Sequence, residues 1–70
     1  MMTRYLIVIE KADSNFSAYS PDIDGCVAAG ETREEAIMNM QEAIQFHFEG
    51  MREDGLPLPE GYASAEYVAV

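Results

Sequence analysis

The sequence contains few of the residues that usually stabilise a very small domain. Cys26 is the only cysteine among 70 residues, and His47 is the only histidine. An internal disulfide is therefore excluded, and no Cys/His cluster offers a structural zinc site. A chain of this length buries only roughly 60% of its unfolded surface, so its own core is small. We expect self-association or a protein partner to supply the missing stability.

Basic residues are also scarce, with 4 Lys and Arg against 13 Asp and Glu, for a net charge of −9. Binding to nucleic acid draws most of its affinity from clustered Lys and Arg. The basic residues of this chain are instead scattered along the sequence, so we expect no direct binding to DNA or RNA. They are Arg4, Lys11, Arg33 and Arg52. The acidic surface favours a basic protein partner, although the same charge also serves solubility, and charge alone does not separate the two.

Long hydrophobic runs are absent from the sequence. The apolar run near the N-terminus, Tyr5–Ile9, has five residues, whereas a membrane span needs about 20. No small-residue cleavage site follows this run, so a signal peptide is not expected. The sequence predicts a cytoplasmic protein without membrane contact, in which Cys26 stays reduced.

Three segments in the first half of the chain have strand patterns. Tyr5–Ile9 is apolar on both alternating faces, which predicts a central strand covered on both sides. Phe16–Ser20 alternates large and small side chains, as a half-buried strand does. After a predicted loop at Pro21–Gly25, Cys26–Ala29 forms a third short strand that ends at Gly30. We expect an antiparallel meander.

The periodicity then changes to that of a helix. Thr32 and Glu35 have the spacing of a capping box, and a helix is expected from about Arg33–Asp54, ending near Gly55. Its core-facing stripe recurs at about 100° per residue and consists of Ile37, Met40, Ile44, Phe48 and Met51.

A final strand candidate, Tyr67–Val70, completes the pattern of the chain. The order strand, strand, strand, helix, strand predicts a single α+β domain over residues 1–70, with the fourth strand parallel to the first and spatial order 3-2-1-4. One helix covers only one face of such a sheet. The uncovered face predicts a homodimer or a larger oligomer.

Several segments, spread from Tyr5 to Glu60, together resemble the HicB antitoxin family of toxin–antitoxin systems. The most specific part is the run from Pro21 to Val27, in which Asp22, Gly25 and Cys26 have family-like spacing, followed by glycine and threonine. The segments that carry the resemblance are Tyr5–Glu10, Ser20–Ala28, Gly30–Thr32, Glu34–Ala36, Ala43–Gly50 and Glu53–Pro59.

The resemblance implies a partial ribonuclease-H-like β-β-β-α-β fold that self-associates. It also implies an antitoxin that binds and occludes HicA, a small basic toxin that cleaves RNA. Full-length members often add a C-terminal DNA-binding domain that represses their own operon. No basic or helical segment follows Glu60 here, so we expect a short form without operator binding. The alternative is an orphan homo-oligomeric regulatory domain without a toxin.

The ribonuclease-H likeness raises a nuclease hypothesis, because two-metal chemistry needs several converging carboxylates. The central strand of that fold would carry an acid in its middle, but Tyr5–Ile9 is apolar or aromatic throughout. Glu10 and Glu66 are expected at strand ends as solvated charges. We therefore predict no catalytic residue and no enzymatic activity.

A calcium loop is a second hypothesis for ligand binding. Ser, Asp, Asp, Gly and Glu stand at EF-hand positions 1, 3, 5, 6 and 12. The segment starts with Ser instead of Asp and lacks a preceding helix, so a turn with Asx hydrogen bonds needs fewer assumptions. We predict no metal and no cofactor. The residues concerned are Ser20, Asp22, Asp24, Gly25 and Glu31.

Four further side chains have either a structural or a functional interpretation. His47 borders the apolar stripe and Cys26 lies in a predicted strand, so both are expected to be structural. Phe46 and Met38 fall outside the core stripe. They are either scattered exposed apolar residues or, as we predict, interface residues, because aromatic side chains are enriched at interfaces.

Overall fold

Three antiparallel strands carry a long helix on one face in the computed structural model, which describes residues 3–70. The described elements follow in chain order as β1 (Val8–Lys11), β2 (Phe16–Ser20), β3 (Ile23–Gly30) and α1 (Arg33–Glu53). The predicted α+β class, with an antiparallel meander followed by a helix, is confirmed.

The strand order is β1-β2-β3, so β1 and β3 are both edge strands within the described residues. This corrects the prediction that the first strand is central. The pairing register places Val8 opposite Tyr19, and Tyr19 opposite Val27. The strand also begins three residues later than the predicted Tyr5–Ile9, so most of that apolar run precedes β1.

Strand β3 begins three residues earlier than predicted, because the chain turns tightly after Ser20 instead of forming a longer loop. The register shifts between Tyr19 and Ser20, whose partners are Val27 and Ile23. Gly25 has a φ of 73° in this irregular stretch, a conformation that glycine adopts without strain. The predicted loop is thus part of a bulged strand.

The predicted fourth strand at Tyr67–Val70 is not confirmed, because no strand is assigned after α1 in the described chain. The ribonuclease-H-like topology that depends on it is not confirmed either. The segment after α1 instead crosses the end of the sheet. The Tyr5 hydroxyl donates to the Pro59 carbonyl at 2.6 Å, and the Ala63 N–H donates to Asp22 Oδ2 at 3.0 Å.

The core lies between the inner face of the sheet and one side of α1. Met40 is fully buried and Phe48 is 6% exposed, as the predicted stripe requires. Phe48 meets Tyr5 edge-on, with ring centroids 5.3 Å apart. The sheet contributes the small and branched side chains of Ala18, Ile23 and Cys26.

Both ends of α1 have specific caps. The Glu35 N–H donates to Thr32 Oγ1 at 3.0 Å, and Glu35 Oε1 accepts from the N–H of Glu31, one residue earlier than in the usual capping box. At the other end Gly55 has a φ of 70° and its N–H donates to the Arg52 carbonyl. The N–H of Leu56 donates to the Met51 carbonyl, which completes a Schellman motif.

The helix approaches the sheet most closely at Gly30, the last residue of β3. A Cβ atom on Gly30 would lie 2.5 Å from the Ala36 nitrogen and 2.8 Å from the Glu35 carbonyl carbon. Ala36 is fully buried at this point. Backbone packs on backbone here, so neither side can yield by rotating a side chain.

Replacing Gly30 with Ala should lower the free energy of unfolding by about 1–3 kcal/mol, because the added methyl overpacks two backbones. The matched control is Gly50→Ala in α1, where the added methyl meets open space. It should raise stability by about 0.5–1 kcal/mol through helix propensity. Urea unfolding monitored by circular dichroism measures both free energies of unfolding. Equal effects of the two substitutions would contradict the close approach of helix and sheet at Gly30.

Candidate functional site: surfaces beside the helix

The outer side of α1 carries two exposed apolar side chains, Phe46 at 79% and Met38 at 62% exposure. Both lie off the core stripe, as predicted. Eight residues separate them, which places them roughly 80° apart around the helix and about 12 Å apart along its axis. They therefore do not form one continuous patch, and their role as interface residues stays a prediction.

Phe46 lies beside a groove between α1 and β3, with a volume of about 510 Å³. Alternation along β3 buries Cys26 and leaves Val27 71% exposed. The Schellman motif turns Leu56 back toward the helix end, where it is 53% exposed. The apolar and aromatic lining consists of Cys26, Val27, Ala43, Phe46, His47, Met51 and Leu56.

The sequence pattern did not single out Val27 or Leu56 as surface residues that join Phe46. The sequence nevertheless carries a signal that could have predicted the exposure of each residue. Val27 follows a buried cysteine in a strand, so it must face outward. Leu56 stands directly after Gly55, where a Schellman motif brings an apolar residue back onto the last helical turn.

Carboxylates surround Phe46 on the helix surface. Glu42 precedes it by four residues and Glu49 follows it by three, and these spacings make side chains neighbours on a helix. Glu53 lies one heptad beyond Phe46, within roughly 20° of it around the axis. All three glutamates are exposed. The result is an exposed aromatic ring within a negatively charged surface, which we call the Phe46 face.

Cys26 and His47 are structural in their surroundings. Cys26 is a free, buried cysteine, and burial raises the pKa of its thiol. His47 is half-buried, and its ring lies 6.3 Å from that of Phe48. A raised thiol pKa lowers the fraction of thiolate and therefore the nucleophilicity of Cys26.

The acidic residues near the sheet differ in part from their predicted positions. Glu10 is the third residue of β1 and pairs with Ser17, so it lies within a strand and not at its end. It remains exposed. Asp22 accepts a hydrogen bond from the backbone of Ala63, and its own N–H donates to Ser20 Oγ at 3.3 Å. The first contact joins the C-terminal segment to the turn, and the second is an ST turn made by Ser20, so neither is one of the predicted Asx hydrogen bonds.

Residues 3–70 contain neither a metal-binding cluster nor a membrane-spanning helix. No group of three or more His, Cys, Asp and Glu side chains is arranged to hold a metal ion. No helix combines the length and the apolar character that a membrane span requires.

A second groove lies on the opposite side of the helix, between α1 and the residues that lead into β1, and also measures about 510 Å³. It adjoins the start of the free edge of β1 and is mainly apolar, with Arg52 at the last turn of α1. We call it the β1 groove. Its lining consists of Thr3, Tyr5, Ile7, Ile37, Gln41, Ile44, Gln45, Phe48, Arg52 and Leu58.

The outer face of the sheet is uncovered in the described chain. Val8, Tyr19 and Val27 are cross-strand neighbours on this face. Tyr19 is 40% exposed, and Val27 is shared between this face and the α1–β3 groove. Cross-strand apolar pairs stabilise a sheet and also leave an apolar strip in water.

Comparisons with known proteins agree on one family. A family model described as the HicB_like antitoxin of bacterial toxin-antitoxin system matches residues 5–69. The protein "Antitoxin HicB 2" of Photorhabdus laumondii is 34% identical over 70 aligned positions. The alignment covers 94% of this chain and 50% of that protein. An "Uncharacterized 14.9 kDa protein in rep-hol intergenic region" of Haemophilus phage HP1 is 44% identical over 64 residues, 91% of this chain and 48% of that protein.

A solved structure is also similar. A chain of the "HicA3 and HicB3 toxin-antitoxin complex" superimposes with a TM-score of 0.72 and 40% sequence identity, over 86% of this chain and 70% of that chain. The present chain spans about half the length of the two curated relatives. Because the family model covers nearly all of the sequence and the fold agrees, the chain belongs to the HicB-like antitoxins of bacterial toxin–antitoxin systems.

Proposed function

We propose that this chain is a non-enzymatic antitoxin that binds and occludes a small, basic, RNA-cleaving HicA-like toxin. The observation that carries the proposal is the Phe46 face, an aromatic side chain 79% exposed among Glu42, Glu49 and Glu53. Family membership and the similarity to a chain of a HicA3–HicB3 complex support the same partner.

The chemistry of the Phe46 face suits such a toxin. A protein that binds RNA must expose Lys and Arg to phosphate. Carboxylates on α1 can occupy that basic surface in place of phosphate, while Phe46 supplies a buried anchor at the centre of the contact. The α1–β3 groove extends the apolar part of the surface through Val27 and Leu56. Met38 would lie at the margin of this interface.

The net charge adds a kinetic component. With a charge of −9, the chain attracts a basic toxin over several ångströms, which raises the association rate at low salt. Rapid capture matters for an antitoxin because free toxin remains active. Both proteins would then meet in the cytoplasm, and their association would need no covalent chemistry.

We also infer that the chain self-associates. Its sheet has two free edges and an outer strip formed by Val8, Tyr19 and Val27, which a single helix leaves uncovered. A second copy would cover apolar surface that the small core cannot use.

The Phe46→Ser variant should keep its fold and bind toxin at least about tenfold more weakly, because a central aromatic anchor is lost. Met38→Ser should weaken binding less, because Met38 lies about 12 Å along the axis from Phe46. Isothermal titration against HicA3 as reference partner, or against any small basic protein found encoded beside the gene, measures both affinities. Equal binding by wild type and Phe46→Ser would reject the Phe46 face.

The role of charge has a matched test. Glu49→Lys should slow association with the toxin and flatten its salt dependence, because it reverses a charge beside Phe46. Glu10→Lys makes the same change in net charge on the outer face of the sheet and should have a smaller effect. Stopped-flow association rates at several ionic strengths separate local contact from overall charge. If no basic partner binds at all, the alternative of an orphan regulatory domain gains support.

The chain alone should neither bind nor cleave nucleic acid. Its net charge of −9 repels phosphate, and Glu10 projects from β1 beside Ser17. Fluorescence anisotropy with labelled RNA and duplex DNA should show no binding at micromolar protein. Magnesium-dependent cleavage of RNA that disappears in Glu10→Gln would contradict the non-enzymatic assignment.

A further inference from the structure

We propose that residues 66–70 of one copy add to the free edge of β1 in a second copy and fill the β1 groove as a fourth strand. The proposal rests on the self-association inferred above and specifies the segment that carries it. It assigns an occupant to a groove and a partner to an exposed segment, each of which lacks one in the described chain.

The β1 groove has the features of an acceptor for a strand. β1 is an edge strand, so one row of its backbone N–H and C=O groups is free to pair. Beside that edge, Ile7, Ile37 and Ile44 are only half-buried. Phe48 and Leu58 complete the apolar lining. An added strand would satisfy the backbone and cover these side chains together.

Residues 66–70 have the composition of a strand but no partner strand in their own chain. Tyr67 and Val68 are 99% and 79% exposed. Aromatic and β-branched residues are favoured in strands, and burying two valines and a tyrosine would remove substantial apolar area from water.

The path of the preceding residues favours pairing between copies over pairing within one chain. Tyr5 holds the Pro59 carbonyl, and Gly61 lies against the backbone of Arg4. The next contact, from Ala63 to Asp22, is at the β2–β3 turn. The segment therefore crosses the sheet end away from the free edge of β1. Pairing with its own β1 would require a reversal of direction before residue 66.

Charge sets the direction of the added strand. Arg52 lines the β1 groove together with Tyr5 and Leu58, at the end where β1 begins. A strand parallel to β1 enters the groove at this end and places Glu66 beside Arg52. Alternation then directs Val68 and Val70 to the same side as Glu66, into the groove, and Tyr67 to the outer face of the sheet.

The experiment exchanges the two charges and measures the dimer by sedimentation equilibrium on the full chain. Arg52→Glu and Glu66→Arg should each weaken the dimer at least about tenfold, because each creates a like-charge pair. An equimolar mixture of the two variants should regain wild-type dimerisation, since both grooves of the heterodimer then contain opposite charges. Arg33→Glu, at the other end of α1, has the same net charge as Arg52→Glu and should dimerise normally.

A second pair of variants tests the apolar contact. Val68→Ser combined with Val70→Ser should weaken the dimer at least about tenfold. Tyr62→Ser, which removes an exposed side chain outside the proposed strand, should not. Circular dichroism checks that every variant retains the α1 signal of the wild type.

Three results would overturn the proposal. If the mixture stays weak while the double variant Arg52→Glu/Glu66→Arg recovers, the strand pairs within its own chain. If wild type dimerises and none of the charge or valine variants weakens the dimer, another surface forms it, such as the Val8–Tyr19–Val27 strip. If wild type is a monomer at all concentrations tested, self-association itself fails, while toxin binding through the Phe46 face remains to be judged by its own titrations.

Discussion

The structure depends on the packing of one helix against one face of a three-stranded sheet. Within residues 3–70 nothing covers the other face, and neither edge strand is paired on its outer side. The buried core is correspondingly small, with Ala18, Ile23, Cys26, Met40 and Phe48 at its centre. In a chain of this size the surfaces left open contain a large part of the hydrophobic side chains, and covering them with another chain would add to the stability of the fold.

The two sides of the helix are chemically different. The side toward β3 combines Phe46 with carboxylates and adjoins a groove that contains Val27. The side toward β1 is apolar, with one arginine at its end. With a dimer formed through the β1 groove, as proposed, a basic partner and a second copy of the chain would use different surfaces. On these two proposals, toxin binding and self-association would not compete for the same surface.

Local patterns along the chain predicted the elements well where a physical rule connects neighbouring residues. The capping box at Thr32 and the stripe through Met40 and Phe48 rest on contacts one turn apart, and the structure confirms them. The edge position of β1 could not be derived in this way. It depends on whether Tyr67–Val70 pairs with β1 in the same chain, and no local pattern specifies that pairing.

For the candidate site, too, local patterns predicted some features, and contacts between distant parts of the chain determined the rest. The exposure of Phe46 and Met38 could be read from helical periodicity alone. Their separation into different surfaces, and the joining of Phe46 with Leu56, depend on how the chain turns after Gly55. Their role in binding depends on a partner that the sequence of one chain does not contain.

The close approach at Gly30 fixes the distance between helix and sheet at one end of the helix. At this end only Gly30 and Ala36 separate the two backbones, whereas at the other end the bulky side chains of Phe48 and Met51 stand between helix and sheet. The 21 residues of α1 span about 30 Å from this pivot. A tilt of a few degrees at Gly30 therefore moves the far end by an ångström or more, narrowing one groove while it widens the other. Such a tilt would couple the widths of the two grooves through Gly30, which lines neither of them.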